Sequence, residues 1–369
     1  MKILLIARLQ FDLPAHKGVA QKVKSQQNAL MRLGHDCDLI YLRIDGIYLN
    51  STLVHPIAIN EGVSSKFYFF SRLFHDIQKV IKDRKYDLLY IRYPMTTPDF
   101  LWFLKKRHRL GEKIILEMPT YPYKMEKTGF LSSSVLKVDQ LLSGKLKKYV
   151  NYITHLGTDH EIYGIPTIPF NNAVEIEAFP LKKSLPFEGK LKLLAVGNIT
   201  EFQGFDRAIL GLMQYKKTIP EIEITVVGEG EYLPVLKQIA ASNKLNVRFL
   251  GSVFGQELDK LFDSHHLAIG KLGIHRAQFD YSSSLKHREY MARGMVFVYS
   301  GKDSSIEQCN HGFALRLPDN DEPIDYENLL PQLEEMIKIS PLEIRNKVRN
   351  NIGWEKEFNN ILSNISDKF

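Results

Sequence analysis

A regular alternation of short apolar runs with longer segments of helical spacing most constrains how this chain folds. Buried strands are predicted in the first half at residues 2–7, 37–42, 87–91, 113–117 and 152–155. Helices are predicted between them at 20–33, 67–82, 100–109 and 135–149. Strands separated by helices of about 10–15 residues are typical of a parallel α/β sheet.

The pattern then restarts. Further strands are predicted at 191–196, 222–227, 247–250, 267–269 and 296–299, with helices between them. Four prolines at 166, 169, 180 and 186 indicate a linker over 166–186. We therefore predict two Rossmann-like, doubly wound domains that face a central cleft. Their bounds are 1–175 and 176–345, and residues 346–369 form a terminal helix that crosses back to the first domain. The length of 369 residues suits two domains.

Composition narrows the class of protein. The chain is 44% hydrophobic and 25% charged, as in ordinary globular proteins. No segment reaches the roughly 20 apolar residues that span a bilayer. The apolar run at 3–7 is shorter than the roughly 7–15 residues of a signal core. Two cysteines, Cys37 and Cys309, form no disulfide framework. A cytoplasmic protein is expected.

Charge is unevenly distributed. Residues 1–180 carry 25 basic against 17 acidic side chains, or +8, and residues 181–369 carry 24 against 25, or −1. A basic excess indicates an anionic partner such as a membrane or a phosphorylated substrate, or simply a solvated surface. Aromatic residues are mixed with basic ones at 67–85 and 101–113, which suits the surface of an anionic membrane or a helix with a core face. No nucleic-acid module is visible, so a nucleic-acid partner is not expected.

The densest chemical segment lies at 282–294. Ser282, Ser283 and Ser284 precede a predicted helix, and the free N–H groups of its first turn favour an anion. Lys286 in that turn opposes the usual dipole preference, which makes sense if it faces an anionic ligand. Glu289 lies one turn further along, where a carboxylate can accept hydrogen bonds from a ribose diol. The alternative is a solvated lysine–glutamate pair.

Glycines follow the strands of the second half. Gly204 and the start of the helix at 206–215 are predicted to hold a diphosphate. The alternative is that such glycines only permit tight turns between strands and helices. The sequence Gly228-Glu229-Gly230 lacks the third glycine of a dinucleotide fingerprint, so it gives only weak support for NAD binding.

These motifs, in this order, resemble the GT-B fold glycosyltransferases of family 4, also called group 1. The similar segments are Val196-Gly197-Asn198, Gln203-Gly204-Phe205-Asp206, Val227-Gly228-Glu229-Gly230, Phe249-Leu250-Gly251-Ser252-Val253, and Glu289-Tyr290-Met291-Ala292-Arg293-Gly294. The linker at 172–179 and the segment from Gly18 to His35 are also similar to the family pattern.

The resemblance implies transfer of a sugar from a nucleotide-diphosphate donor to a hydroxyl of a glycan or lipid-linked acceptor. It further implies retention of configuration, bacterial-type surface polysaccharide or glycoconjugate synthesis, and no cofactor. Glu289 would hold the ribose, and the Val253 backbone would lie near the base. The phosphates would be bound by Gly18, Gly204, Ser282, Ser283, Ser284 and Lys286.

The sequence also departs from the family pattern. The family places Arg and Lys on the diphosphate where this chain has Asn198 and Gln203. The first glutamate of its Glu-x7-Glu motif is replaced by Tyr281. We expect Lys286, His275 and Arg276 to compensate, the arginine through a bidentate contact with phosphate. The alternative for Arg276 is a surface loop.

Acceptor-side residues are expected at the strand ends of the first domain. Glu117 ends one predicted strand, where it would orient or deprotonate the acceptor hydroxyl. The alternative is a carboxylate bonded to backbone. Arg92, at the end of the neighbouring strand, would suit an anionic acceptor, and Tyr121 would line the same pocket.

Other chemistries have less support. No metal or nucleophile motif is present, so a bound metal is not expected. Together with the resemblance, this implies a metal-independent hexosyltransferase. The basic, aromatic helices lead us to expect peripheral contact with the inner face of the membrane. Two further functions stay open: a nucleotide-sugar epimerase of the same fold, and an inactive subunit that binds nucleotide-sugars.

Overall fold

The computed structural model describes residues 1–13, 16–57, 63–118, 121, 130–157, 159–277, 282–309 and 312–366. The chain divides into two compact units. The first comprises Met1–Asn171 and Glu357–Phe369, and the second comprises Asn172–Lys356. Each unit is built around its own sheet and its own apolar core.

The first unit has a sheet whose nine described strands run in the order β4-β3-β2-β1-β5-β6-β7-β9-β8. Strands β1, β2, β5, β6, β7 and β9 pair in parallel, while β3, β4 and β8 join antiparallel at the two edges. Their bounds are β1 Lys2–Gln10, β2 Asp36–Arg43, β3 Gly46–Leu49, β4 Thr52–Pro56, β5 Leu88–Arg92, β6 Lys113–Met118, β7 Tyr152–His155, β8 Glu161–Ile162 and β9 Ile165–Pro169.

Helices follow four of the nine described strands, namely β1, β4, β5 and β6. They are α1 Lys17–Arg32, α2 Val63–Ser71, α3 Leu73–Val80, α4 Pro98–Arg109 and α5 Phe130–Leu142, and a 3-10 helix covers Ser143–Lys148. The start of α4 is fixed by Thr97, whose side chain accepts a hydrogen bond from the Phe100 N–H, and by Pro98 in the first turn. The core lies between the sheet and the apolar faces of these helices, with Phe74, Phe100 and Phe103 packed together.

The second unit has a sheet whose six described strands are all parallel. Their order is β12-β11-β10-β13-β14-β15, the order of the Rossmann fold. Strands β10 and β13 are neighbours, although β11 and β12 lie between them in the chain, so the direction of winding reverses there. The bounds are β10 Lys190–Val196, β11 Glu221–Val227, β12 Val247–Phe249, β13 Leu267–Ile269, β14 Phe297–Ser300 and β15 Ala314–Leu317.

The helices of the second unit connect these strands and end the chain. They are α6 Phe205–Gln214, α7 Leu233–Ser242, α8 Gly255–Asp263, α9 Leu285–Arg293, α10 Ser304–Glu307, α11 Tyr326–Met336, α12 Pro341–Val348 and α13 Trp354–Ser366. Short 3-10 helices cover Ile176–Ala178, Glu201–Gln203 and Ile274–Ala277. The last helix, α13, begins in the second unit and ends in the first.

Two expectations about secondary structure were wrong. The helix predicted at 67–82 is two helices, because the backbone of Arg72 leaves helical geometry between α2 and α3. The linker predicted at 166–186 begins inside a strand: Pro166 and Pro169 lie in β9. That strand lies near the sheet edge, where proline is tolerated. In the described part of the chain, no helix is both long and apolar enough to cross a membrane.

The glycine inside α6 allows a close contact that helix propensity alone would disfavour. A methyl group on Gly211 would lie 2.3 Å from the Ile324 carbonyl oxygen and 2.9 Å from the Tyr326 ring. Glycine in a helix costs about 1 kcal/mol relative to alanine, whereas overpacking costs about 1–3 kcal/mol. At position 211, the steric cost of a side chain is therefore larger than the cost of glycine in a helix, and glycine is the more stable choice.

Replacement of Gly211 by alanine should lower the free energy of unfolding by up to about 2 kcal/mol, because the new methyl group has no space and its overpacking cost exceeds the gain in helix propensity. Urea unfolding followed by circular dichroism measures the change. Gly144→Ala is the matched control, because an added methyl group there meets no atom within 4 Å. A Gly211→Ala protein that is more stable than the parent would contradict the packing argument.

Candidate functional site

The carboxyl ends of β10 and β13 bring the first elements of a site together in the second unit. Gly197 follows β10 directly, and Lys271 lies two residues after β13. In open parallel sheets, ligands bind outside the carboxyl ends of the strands where the winding direction reverses. Helix α9, which begins at Leu285, contributes Lys286 to this place. A methyl group on Gly197 would lie 3.7 Å from the Lys286 ammonium nitrogen.

Lys286 has the most unusual environment of these residues. Its Nζ atom is buried and has no hydrogen-bond acceptor among the described residues. It lies 4.5 Å from the centre of the Phe205 ring, a cation–π contact. Burial, and secondarily the charge of Lys271, hold the pKa of Lys286 well below its usual range. A buried ammonium without an acceptor is costly, and an anionic ligand would relieve that cost.

Hydrogen bonds of Ser282 and Ser283 anchor the start of α9. The Ser282 N–H donates to the Lys302 carbonyl at 2.8 Å, and the Ser283 hydroxyl accepts the Asn172 N–H at 2.8 Å. Ser284 occupies the N-cap position without a side-chain capping bond. The serines expected to bind phosphate thus hold the loop in place, and the Ser284 hydroxyl makes no capping contact.

His287 joins α9 to the end of β13. Its Nε2 atom accepts the Lys271 N–H at 3.0 Å, so the proton of the neutral ring sits on Nδ1 and is donated to Asp303 at 3.1 Å. Burial lowers the pKa of His287 to about 4. Arg288 donates to the same Asp303 carboxylate. Burial by itself raises the pKa of Asp303, but the interactions with Arg288 and His287 together lower it to about 2. This network fixes the position of Lys286 next to His287.

Glu289 is paired with an arginine on its own helix. Arg293 Nε donates to it at 2.9 Å, and Arg293 also binds Asp259 at 2.7 Å. Burial raises the pKa of Glu289, against the opposing charge of Arg293. The carboxylate lies three residues from Lys286, as the helical spacing predicted.

Arg276 was expected to bind a phosphate, but its partners in the structure are two aspartates. Its guanidinium forms a two-bond ion pair with Asp206, at 2.9 and 2.8 Å, and its Nε donates to Asp321 at 2.6 Å. His275 contacts Asp319 and Asp321. These carboxylates already neutralise the arginine, and the bonds to Asp206 above all raise its pKa. Arg276 therefore ties its loop to α6 and is not free to replace a phosphate ligand.

The other residues expected to bind the donor differ in packing and in exposure to solvent. Gly204 has φ +65°, and a methyl group there would lie 2.6 Å from the Gly273 nitrogen, so close packing requires a glycine. The Gln203 Oε1 atom is buried and has no donor among the described residues. Asn198 is exposed and Val253 half-buried. Gly18 is exposed in the first turn of α1, in the first unit. Tyr281 lies outside the described residues.

The alternative for the glycines is the better account at Gly228 and Gly230. Methyl groups on them would lie 1.9 Å from the Gly197 oxygen and 2.2 Å from the Ile199 oxygen. Both glycines have φ values that side chains rarely adopt, +134° and +158°. They permit backbone segments to pack against each other, and this packing alone accounts for them.

In the first unit, Glu117 is the centre of a buried cluster. Its Oε1 atom binds Lys22 at 2.8 Å and Arg92 at 3.1 Å, and its Oε2 atom accepts from Gln26 at 2.9 Å. Burial would raise the pKa of Glu117, but the charges of Lys22 and Arg92 lower it below its usual value.

The role expected for Glu117 as a base is therefore wrong. Its carboxylate is 1% exposed and both of its oxygens are occupied, so it cannot readily take a proton from a hydroxyl. The alternative expectation, a carboxylate bonded to backbone, is also incomplete, because the Glu117 carboxylate is bound by the side chains of Lys22, Arg92 and Gln26. Arg92 stays half-buried beside it, and Tyr121 packs edge-on against Tyr163 at 5.9 Å.

Sequence reasoning did not identify Lys271, His287, Asp303, Lys22 or Gln26 as site residues. His287 is adjacent to Lys286 in the segment 282–294, but the sequence does not show that its ring is buried and bonded on both sides. Lys271 followed a strand-end glycine, which was considered only as a turn. Among the described residues, no group of three or more metal-ligating side chains is present.

Comparison with solved structures defines the class of the fold. A glycosyltransferase from Rickettsia africae ESF-5 has a TM-score of 0.64 at 14% identity, covering 99% of this chain and 98% of that one. Sucrose-phosphate synthase from Thermosynechococcus elongatus has a TM-score of 0.65 at 13% identity, over 100% and 98%. Anabaena Alr3699/HepE in complex with UDP and glucose has a TM-score of 0.60 at 13% identity, over 99% of both chains. The chain has the GT-B fold.

The sequence of the second unit is similar to one family of enzymes. Residues 178–351 match the family described as "Glycosyl transferases group 1". No curated protein sequence matches the chain significantly. The chain thus has the GT-B fold, and its segment 178–351 is similar to the group 1 glycosyltransferases. The family-matched segment contains Gly197, Lys271, Lys286 and Glu289.

His287 provides a test of the anchoring network through pH. Its pKa is about 4 in the folded protein and about 6.5 when unfolded, so the unfolded state binds more protons between these values. Stability should therefore fall as pH drops from 6.5 to 4, by up to about 3 kcal/mol from this histidine. Urea unfolding at pH 7, 5.5 and 4.5 measures the fall, and NMR titration of the ring assigns it. A folded-state His287 that titrates near pH 6.5 would contradict the assignment.

Proposed function

We propose that this chain transfers a sugar from a nucleotide-diphosphate donor to a hydroxyl of a glycan or lipid-linked acceptor. The observation that carries the proposal is the buried Lys286 ammonium without an acceptor, at the strand ends of the family-matched unit. A nucleotide-sugar diphosphate supplies the missing anion. The complex of HepE with UDP-glucose supports this donor class.

The residues of the second unit have distinct roles in the proposed reaction. Lys286 binds the diphosphate and stabilises the charge that develops as the sugar–phosphate bond breaks. The N–H groups at the start of α9 add to that stabilisation. Glu289 accepts hydrogen bonds from the ribose. The reaction proceeds with retention and without metal, and it belongs to surface polysaccharide or glycoconjugate synthesis. A neighbour described as a lipopolysaccharide outer core galactosyltransferase supports the last point.

The first unit is proposed to bind the acceptor. Arg92 is half-buried, and its NH1 atom is held by Glu117 at 3.1 Å. Glu117 and Gln26 thus act as positioning residues for the cations of this cluster. An anionic acceptor, such as a lipid-linked diphosphate glycan, matches the +8 charge of residues 1–180.

Contact with an anionic membrane is also proposed for the first unit. Phe67 on α2 is 71% exposed, and α2 is in contact with α4. The last turns of α4 expose Lys105, Lys106 and Arg109. The alternative of a core face holds for Phe100 and Phe103, which are fully buried. An exposed aromatic residue near several cations suits the interface of an anionic bilayer.

The donor is identified by a thermal-shift screen with nucleotide-sugars, since a ligand that binds the folded state raises the melting temperature. The proposal expects one donor to stabilise the protein and to be consumed with an acceptor in the presence of EDTA. Glu289→Ala should weaken calorimetric donor binding beyond detection, because the ribose contact is lost. Product formed without an acceptor would indicate an epimerase, and binding without turnover would indicate an inactive subunit.

The matched control is Asp259→Asn. It removes the other carboxylate on Arg293 and leaves Glu289 in place. Donor binding should survive this change if Glu289 contacts the ribose. Equal losses in both variants would show that Glu289 acts only by holding Arg293.

The membrane proposal predicts flotation with vesicles that contain anionic lipid and less flotation with neutral vesicles. Lys105→Ala with Lys106→Ala should reduce flotation severalfold, because each cation near an anionic surface contributes about 1 kcal/mol. Lys237→Ala, an exposed lysine of the second unit, is the control. Equal flotation with neutral and anionic vesicles would count against the contact.

A further inference from the structure

We propose that Lys271 is a second diphosphate ligand, which forms with Lys286 a two-lysine anion site where the winding of the second unit's sheet reverses. The inference rests on the proposed function and names a residue that binds the same donor. The site lies where the ends of β10 and β13 adjoin, since these two strands are neighbours in the sheet. Lys271 follows β13 by two residues, and Gly197, next to Lys286 Nζ, follows β10.

The backbone of Lys271 is fixed to the helix that carries Lys286. Its N–H donates to Nε2 of His287, and its carbonyl accepts the Ser300 N–H at 2.8 Å. Because His287 is the residue after Lys286, one buried ring connects the strand end of the first lysine to the helix of the second. Asp303 holds that ring from its other side at 3.1 Å. The two lysines are therefore positioned by a shared, rigid support.

Neither lysine is paired with a carboxylate in the described part of the chain. Burial lowers the pKa of both lysines, and the charge of Lys271 adds to the lowering at Lys286. Among the described residues, Lys286 Nζ has no acceptor and Lys271 forms no ion pair within 4.0 Å. Asp319 gives Lys271 only a longer-range attraction and itself lies against His275 and Ser300.

A ligand with two adjacent negative charges fits this arrangement. One phosphate neutralises one ammonium, so a diphosphate relieves the repulsion between both lysines at once. The side chains nearest in the chain to Gly197 and Gly204 supply no charge, because they are Asn198 and Gln203. The cations of this site thus come from the segment after β13 and from α9, and not from the segment that follows β10.

Calorimetric titration with inorganic pyrophosphate tests the site without any nucleoside. The wild-type protein should bind pyrophosphate, and Lys271→Met should weaken binding by about tenfold or more, because a charge-assisted hydrogen bond is lost. Lys286→Met should weaken it similarly. Lys237→Met, the same change at an exposed lysine on α7, should leave binding within about twofold and controls for the loss of one charge.

Lys271→Arg keeps the charge and should retain most of the affinity that Lys271→Met loses. This variant separates the loss of an ammonium from a disturbed fold, which circular dichroism checks directly. The inference is overturned if Lys271→Met binds pyrophosphate as tightly as the wild type while Lys286→Met does not.

The outcomes also separate this inference from the proposed function. A wild-type protein that is stabilised by a nucleotide-sugar but binds no pyrophosphate overturns the two-lysine site and leaves the proposed function standing. A protein that binds neither overturns both. Pyrophosphate binding that depends on Lys271, without any response to nucleotide-sugars, supports the anion site and overturns the proposed donor.

Discussion

The second unit depends on one buried carboxylate. Asp303 is fully buried and accepts hydrogen bonds from His287 and Arg288, which are consecutive residues of α9. Arg288 in turn donates to the Asn172 carbonyl and to the Ser305 hydroxyl. Removal of one partner from such a network leaves an uncompensated buried charge, which costs several kcal/mol. The orientation of α9, and with it the position of Lys286, rests on this carboxylate.

That rigidity makes the unpaired Lys286 ammonium possible. A flexible lysine would turn toward water, but Lys286 lies one position before a ring that is bonded on both nitrogens. Its Nζ atom is held over the Phe205 ring and near Gly197. The anchoring network compensates for the desolvation of one cation, and the cation gains its partner only when an anion binds. Fixed charges of this kind are effective in catalysis because they need no reorganisation during the reaction.

Much of the fold could be predicted from the sequence, but the partners of its charged residues could not. Strands β7 and β13 begin and end where the apolar pattern placed them, because parallel strands are apolar on both faces. The pattern is silent on the short β3–β4 hairpin and on the break at Arg72. Arg276 was expected to face a phosphate, yet Asp206, seventy residues earlier, neutralises it. Such pairings depend on tertiary contacts that spacing along the chain does not encode.

In the second unit, the presence or absence of a carboxylate partner distinguishes the cations that stabilise the fold from the cations of the proposed anion site. Arg276, Arg288 and Arg293 each lie against a carboxylate, and each joins two segments of the unit. The bidentate geometry of guanidinium suits that supporting role. The two cations at the strand ends are lysines, whose ammonium groups adapt to a phosphate oxygen from several directions. Within the described residues, neither Lys271 nor Lys286 forms an ion pair with a carboxylate. The proposed site is therefore a place where two cations lack a counter-ion from the protein itself.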